Sequence, residues 1–293
     1  MAAARSLRHL AAALLALILP AGAQADAPPR TVVLGGTLAE IIAALGAEDQ
    51  LVGRDATSSW PESLLALPDV GYLRAVSAEG VLSLEPELII ADPGAGPEAA
   101  VDVLRASGVP YVTVPYERSA EGVIDKITAT AAALHREAEG AALAARVRSQ
   151  IDEAAARAAA IPEDARRGVL FVMSLQGGAV MVGGGGTTPD SLITMAGARN
   201  VAAAIDGYKV MTDEAIIAAA PDVILMTDGG MDAAMSAAAI RAHPALGHTP
   251  AAERGDIVMI DGLMVLGFGP RVGDAVLFLN DAFYPAADRG PQP

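Results

Sequence analysis

Apolar and polar positions along the chain fall into short blocks that switch between two periods. Thr31-Val-Val-Leu34 is an unbroken, mostly β-branched run, and Gly35, Gly36 and Thr37 separate it from Leu38-Ala-Glu-Ile-Ile-Ala-Ala-Leu45, which has helical spacing and stops at Gly46. This pattern predicts a strand, a glycine turn and a helix. The same alternation continues: strands at 51–53, 87–91 and 108–114, with helices at 79–84 and 98–106 between them. Strands alternating with helices predict a parallel α/β lobe. From 120 to 160 the composition shifts to Ala, Glu, Arg and Gln, with glycine only at Gly122 and Gly140, so helix propensity is high throughout. One helix is expected to about His135 and a longer one from about Glu137 to Ala160, roughly 35 Å long at 1.5 Å per residue, closed by Pro162. Gly168-Val-Leu-Phe-Val-Met173 restarts the alternation, followed by helices at 190–196 and 214–220, strands at 222–227 and 257–260, and a closing helix at 274–283.

The two halves echo one another. Ser77-Ala-Glu79 leads through an apolar helix to Pro86 and a strand, and Thr212-Asp-Glu214 leads through an apolar helix to Pro221 and a strand; in both, Glu precedes Pro by seven residues. The helices ending at Gly46 and Gly197 also correspond. Such a duplication predicts two Rossmann-like α/β lobes bridged by a single long α-helix, with a ligand cleft between the lobes. The expected boundaries are a signal peptide at 1–25, an N-terminal lobe at 26–135, the bridging helix at 136–162 and a C-terminal lobe at 163–293, with a loose tail at Pro291-Gln-Pro293.

The first 25 residues change the picture of where the chain works. Arg5 and Arg8 precede the apolar run Leu10 to Leu19, Pro20 and Gly22 break it, and Ala23-Gln24-Ala25 offers small residues for cleavage. That is a secretory signal, and the run is short for a membrane span of about 20 residues. The mature chain is therefore expected in the periplasm. It has no cysteine, which excludes thiolate metal sites and Cys nucleophiles. The net charge of −15 becomes −17 once the two signal arginines leave, which disfavours nucleic acid as a partner and makes any basic residue in a cleft informative. Of the histidines, His9 lies in the signal, and His135, His243 and His248 have no helical ligand spacing, so a zinc or manganese carrier is disfavoured. No Gly-x-Ser-x-Gly elbow, Walker lysine after Gly183 to Gly186, or Cys-x-x-Cys-His is present, so neither an enzyme nor a covalent haem protein is indicated.

Three stretches carry a resemblance. They are Gly71-Tyr72-Leu73-Arg74 followed by Val76-Ser-Ala-Glu-Gly-Val-Leu-Ser-Leu84, then Gly207-Tyr208-Lys209, and Leu266-Gly-Phe-Gly-Pro-Arg271. Through them the chain resembles the periplasmic haem-binding proteins of bacterial haem ABC importers, within the group that also binds vitamin B12 and ferric siderophores. The resemblance implies reversible capture of haem b and delivery to a permease dimer with its ATPase, by a protein that works as a monomer and whose lobes move only modestly. It implies Tyr72 as the haem iron ligand, and a phenolate oxygen is a hard donor suited to ferric iron. Were the segment extended, Arg74 would point to the same face as Tyr72, beside the phenolate or a haem propionate. On the residues alone, a loop aromatic and a surface charge are the competing reading. Arg54 is either a propionate partner or one half of a solvated pair with Asp55, and Trp60 either meets a flat ligand or packs in its loop. Some relatives place a histidine in this region as a second iron ligand, but here the stretch after Ser174 is Leu175-Gln176 and no His occurs between 136 and 242, so Tyr72 is expected as the sole protein ligand, with Met173, Met181 or water opposite; Gln176, Tyr208, Lys209 and Arg271 are further pocket candidates. Glu79 and Glu214 are implied to dock the permease, one acid per lobe, although the helix dipole also favours an acid at each place. A siderophore or cobalamin remains the alternative cargo.

Overall fold

The computed structural model describes residues 28–228 and 235–285. The expected signal peptide and the tail at 291–293 lie outside them. The first half runs β1 (Thr31–Leu34), α1 (Gly36–Ala44), β2 (Leu51–Arg54), α2 (Ala78–Leu82), β3 (Leu88–Ala91), α3 (Glu98–Ala106), β4 (Tyr111–Thr113) and α4 (Ala120–Ala133). Its four strands form one parallel sheet in the order β2-β1-β3-β4. β1 and β3 are buried along their whole length, as expected of central parallel strands covered on both faces.

Helix α5 (Glu137–Ala159) follows. Its buried residues Gly140, Leu143, Ala144, Val147, Ile151 and Ala154 recur every three or four positions, so one stripe faces inward. That stripe packs on α4 of the first half and on the last helix of the second. A single apolar cluster consequently runs from Val33 and Ile41 through Val147 and Ile151 to Leu279 and Phe283. The helix thus joins the two lobes by packing as well as by the chain.

The second half runs β5 (Gly168–Gln176), β6 (Ala179–Gly183), α6 (Thr188–Met195), β7 (Arg199–Asn200), β8 (Tyr208–Met211), α7 (Asp213–Ala219), β9 (Val223–Thr227), α8 (Ala237–Ala242), α9 (Pro250–Arg254), β10 (Ile257–Ile260), α10 (Gly262–Gly267) and α11 (Val272–Phe283). β5, β9 and β10 are parallel, but β6 and β8 are antiparallel additions at one edge, in the order β10-β9-β5-β6-β8, and β7 pairs with β5. The mixed character of this sheet departs from strict alternation. The β5–β6 hairpin turns through Gly177 and Gly178, both at positive φ. The glycine run at 183–186 is a close crossing of two chain segments. The Gly184 and Gly185 amides donate to the carbonyls of Gly207 and Ile205, and a Cβ on Gly184 would lie 2.0 Å from the Ile205 carbonyl oxygen.

The duplication shows in the caps. Ser77 accepts a hydrogen bond from the Gly80 amide at the start of α2, and Thr212 accepts one from the Ala215 amide at the start of α7. Among the described residues no helix is long and apolar enough to cross a membrane.

Candidate functional site

The C-terminal ends of parallel strands are where open α/β sheets place ligands. β2 ends at Arg54 and leads into Asp55, which is fully buried and accepts four hydrogen bonds. They come from the Gly35 amide (2.8 Å), the Thr57 amide (2.9 Å), the Thr57 hydroxyl (2.5 Å) and the Ser58 hydroxyl (2.7 Å). This carboxylate ties the 55–58 loop to the turn before α1. The Ala56 amide then donates to the Gly71 carbonyl, which anchors the next segment.

Gly71 takes φ 105°, and a Cβ there would sit 3.0 Å from the Ala75 carbonyl oxygen, so only glycine fits this reversal. Tyr72 follows with extended backbone and its side chain 50% exposed. Residues 73–75 form one turn of 3₁₀ helix, pinned by Ala75 N–H to the Tyr72 carbonyl and by the loop at Gly96. The extended Tyr72-x-Arg74 geometry expected from sequence is therefore absent, and the two side chains do not share a strand face. Arg74 is exposed, and its charge acts instead on Tyr208 of the other lobe.

Tyr208 is 43% exposed, on edge strand β8 directly opposite Gly183, where a Cβ would come 3.5 Å from its ring. Burial of its hydroxyl and the neighbouring Tyr116 push its pKa up to about 12, while Arg118 and Arg74 pull it back. It therefore remains a protonated donor. Tyr116 follows the end of β4, and its hydroxyl lies 3.4 Å from the Thr188 hydroxyl of α6, so it spans the lobes. Beneath it is Lys126 of α4, 1% exposed, with Nζ 4.4 Å from the Tyr116 ring centre and donating to the Phe268 carbonyl (3.1 Å) and the Thr37 hydroxyl (3.4 Å). Burial pushes the Lys126 pKa down to about 8 against the pull of Asp92 and Glu40.

Two of the expected pocket cations have other duties. Arg54 is 8% exposed and donates to the carbonyls of Leu64 and Asp55 and to the Asp69 carboxylate (3.4 Å), so it braces its own lobe and is neither a solvated charge nor turned to the cleft. Arg271 pairs with the buried Glu40 of the opposite lobe and with Asp261 (3.0 Å), forming part of the lobe seam. Its guanidinium carbon also lies 5.1 Å from the Trp60 ring centre. Trp60 and Arg271, with Glu40, Arg146, Gln150 and Asp274, line a cavity of about 260 Å³ on the bridging-helix side, which Tyr72, Arg74 and Tyr208 do not line. Met173 sits at a bulge in β5 and packs on the core, and Gln176 is exposed at the end of that strand. Lys209 is exposed. Glu79 and Glu214 are exposed at the second positions of α2 and α7; Ser77 and Thr212 already cap these helices, and among the described residues neither acid has a hydrogen-bond or ion-pair partner.

A family model for periplasmic binding proteins matches residues 32–262. The chain belongs to the periplasmic binding protein family. Among solved structures, the periplasmic heme-binding protein RhuT from Roseiflexus sp. RS-1, in apo form, is 38% identical with a TM-score of 0.83, covering 89% of this chain and all of RhuT. The periplasmic heme-binding protein BhuT, solved in complex with two hemes, is 41% identical with a TM-score of 0.82, covering 87% of this chain and 97% of BhuT. A vitamin B12-binding protein of Yersinia pestis (strain Pestoides F) is 36% identical over 104 residues, 36% of each chain. The family and these relatives are binding proteins.

The sequence reading passed over Tyr116, Arg118, Lys126 and Glu40. Signals for them existed. Tyr116 and Arg118 follow a parallel strand's carboxyl end, and Lys126 and Glu40 interrupt otherwise apolar helix stripes.

Proposed function

We propose that this chain is a periplasmic substrate-binding protein that captures haem reversibly, as haem b, and hands it to the permease dimer and ATPase of an inner-membrane ABC importer. In this reading the signal at 1–25 is removed on export, and the mature chain works as a monomer. The observation that carries the reading is Tyr72: a half-exposed phenol presented by a glycine reversal, with no hydrogen-bond or ion-pair partner among the described residues, in a chain alike over most of its length to RhuT and BhuT. A phenolate oxygen there supplies the single strong protein bond to ferric iron. Arg74, Tyr208 and Lys209 serve the rest of the ligand, and Met173 and Gln176 stand on the opposite lobe. Glu79 and Glu214, free of capping duty and placed one per lobe, meet basic residues of the permease.

Haemin titration of the mature protein, followed in the visible spectrum beside Tyr72→Ala, tests the reading. The expected result is saturable binding with a high-spin tyrosinate-type spectrum that the variant loses. Binding unaffected by the variant would remove Tyr72 as ligand. No saturable binding would remove haem as cargo. Cobalamin is the second reading, favoured by the vitamin B12-binding relative, and a cobalamin titration of the same sample separates the two.

A further inference from the structure

We propose that the cavity of about 260 Å³ beside the bridging helix is a second binding site, separate from the cleft, for a free α-amino acid with an apolar side chain.

Helix α1, the loop after β2, the bridging helix α5 and the start of α11 all contribute to its walls, so an occupant touches both lobes and the helix between them. The walls carry opposite charges at a defined spacing. Arg146 and Gln150 both line the cavity, and four residues of helix separate them by about 6 Å on one face. Arg146 is exposed and has no hydrogen-bond or ion-pair partner among the described residues. Gln150 Nε2 donates to the Asp274 carboxylate (2.5 Å), which fixes that acid at the other end. The Ser63 hydroxyl holds a second acid, Glu48, in the same way (2.9 Å). Arg271 is not available to a ligand carboxylate, because it already serves Glu40 and Asp261. One free cation and two oriented acids therefore stand about a helical turn apart. The ammonium and carboxylate of an α-amino acid are joined through one carbon, and with a hydrogen bond of about 2.8 Å at each end they bridge such a gap. The rest of the lining is apolar. Trp60 is 45% exposed despite the guanidinium stacked 5.1 Å from its ring centre, and Ala43 and Pro61 line the cavity with it. An apolar side chain laid on the indole buries surface that the protein leaves open to water.

Trp60 is the only tryptophan in the chain, so its emission reads the cavity directly. The mature protein, free of haemin, is titrated with L-leucine, and separately with isoamylamine and 4-methylpentanoate, which are leucine without its carboxylate and without its ammonium. Calorimetry on the same samples detects binding that leaves the emission unmoved. The expected result is saturable leucine binding, with each half-ligand weaker by about 10-fold or more. Arg146→Gln and Asp274→Asn should each weaken leucine by about 10-fold or more, as fits the loss of one charge-assisted hydrogen bond. Both side chains are exposed, so the variants should keep the circular dichroism of the parent. No saturation with leucine by either method overturns the site. Saturation that the amine or the acid alone matches, or that either variant leaves intact, overturns its assignment to an amino acid. Haem takes no part in the measurement, so each outcome leaves the cargo reading where it stands.

Discussion

Glu40 is an acid at the centre of an interlobe seam, and its titration should be visible in the stability of the whole protein. Its side chain is buried, with 5% of the residue exposed, on α1, and it receives hydrogen bonds from Arg271. The groups facing it are Arg271, Asp261 and Lys126. Burial outweighs the arginine and raises its pKa from 4.5 to about 7. In the unfolded chain the group ionises near 4.5, so between pH 4.5 and 7 the folded state holds a proton that the unfolded state has lost. Stability contributed by this site is therefore full below pH 4.5 and falls as pH rises through 7. At 1.36 kcal/mol per pKa unit the total is about 3 kcal/mol. Glu40→Gln keeps the shape and an acceptor for Arg271 but cannot titrate. Urea unfolding of both proteins at pH 4.5, 5.5, 6.5 and 7.5 should show the variant gaining about 3 kcal/mol on the wild type across the series, with equal m-values. A gap that stays constant, or that moves in favour of the wild type as pH rises, would show that Arg271 outweighs burial and refute the reasoning.

Lys126 should give the opposite slope at higher pH. Its pKa of about 8 lies below the unfolded value of 10.5, so the folded state releases its proton first, and wild-type stability should rise by up to about 3 kcal/mol relative to Lys126→Met between pH 8 and 10.5, read by urea unfolding. Asp55→Asn places an amide among four donors that now point at a carboxylate, and should cost about 2–4 kcal/mol in the same assay, with a shift in the fluorescence of nearby Trp60. Glu79→Gln combined with Glu214→Gln should leave haemin titration unchanged while abolishing uptake into vesicles carrying the permease and ATPase; uptake at the wild-type rate would remove both acids from docking.

The strand and helix positions were legible because burial imposes a period on the sequence. β1, α1, α3, α5 and β10 lie within a residue or two of where their apolar patterns put them. Antiparallel β6 and β8 were not legible, because each is short and the crossing at the glycines between them leaves no periodic pattern. Tyr72 stood out from its motif, but the 3₁₀ turn after it did not, since one turn of helix leaves no periodic trace.

The cations divided along a different line. Whether an arginine serves a ligand or the fold depends on what sits beside it, and that neighbour need not be near in sequence. Arg271 and Glu40 are 231 residues apart, and nothing local to Pro270-Arg271 announces that its charge is already engaged. Arg54 looked available beside Asp55, yet it turns inward to a carbonyl ten residues away while Asp55 collects the loop amides. A buried guanidinium needs several acceptors, and only the closed lobe supplies them. Arg74 and Arg118 are exposed on short segments between the longer elements, and among the described residues neither has a hydrogen-bond or ion-pair partner.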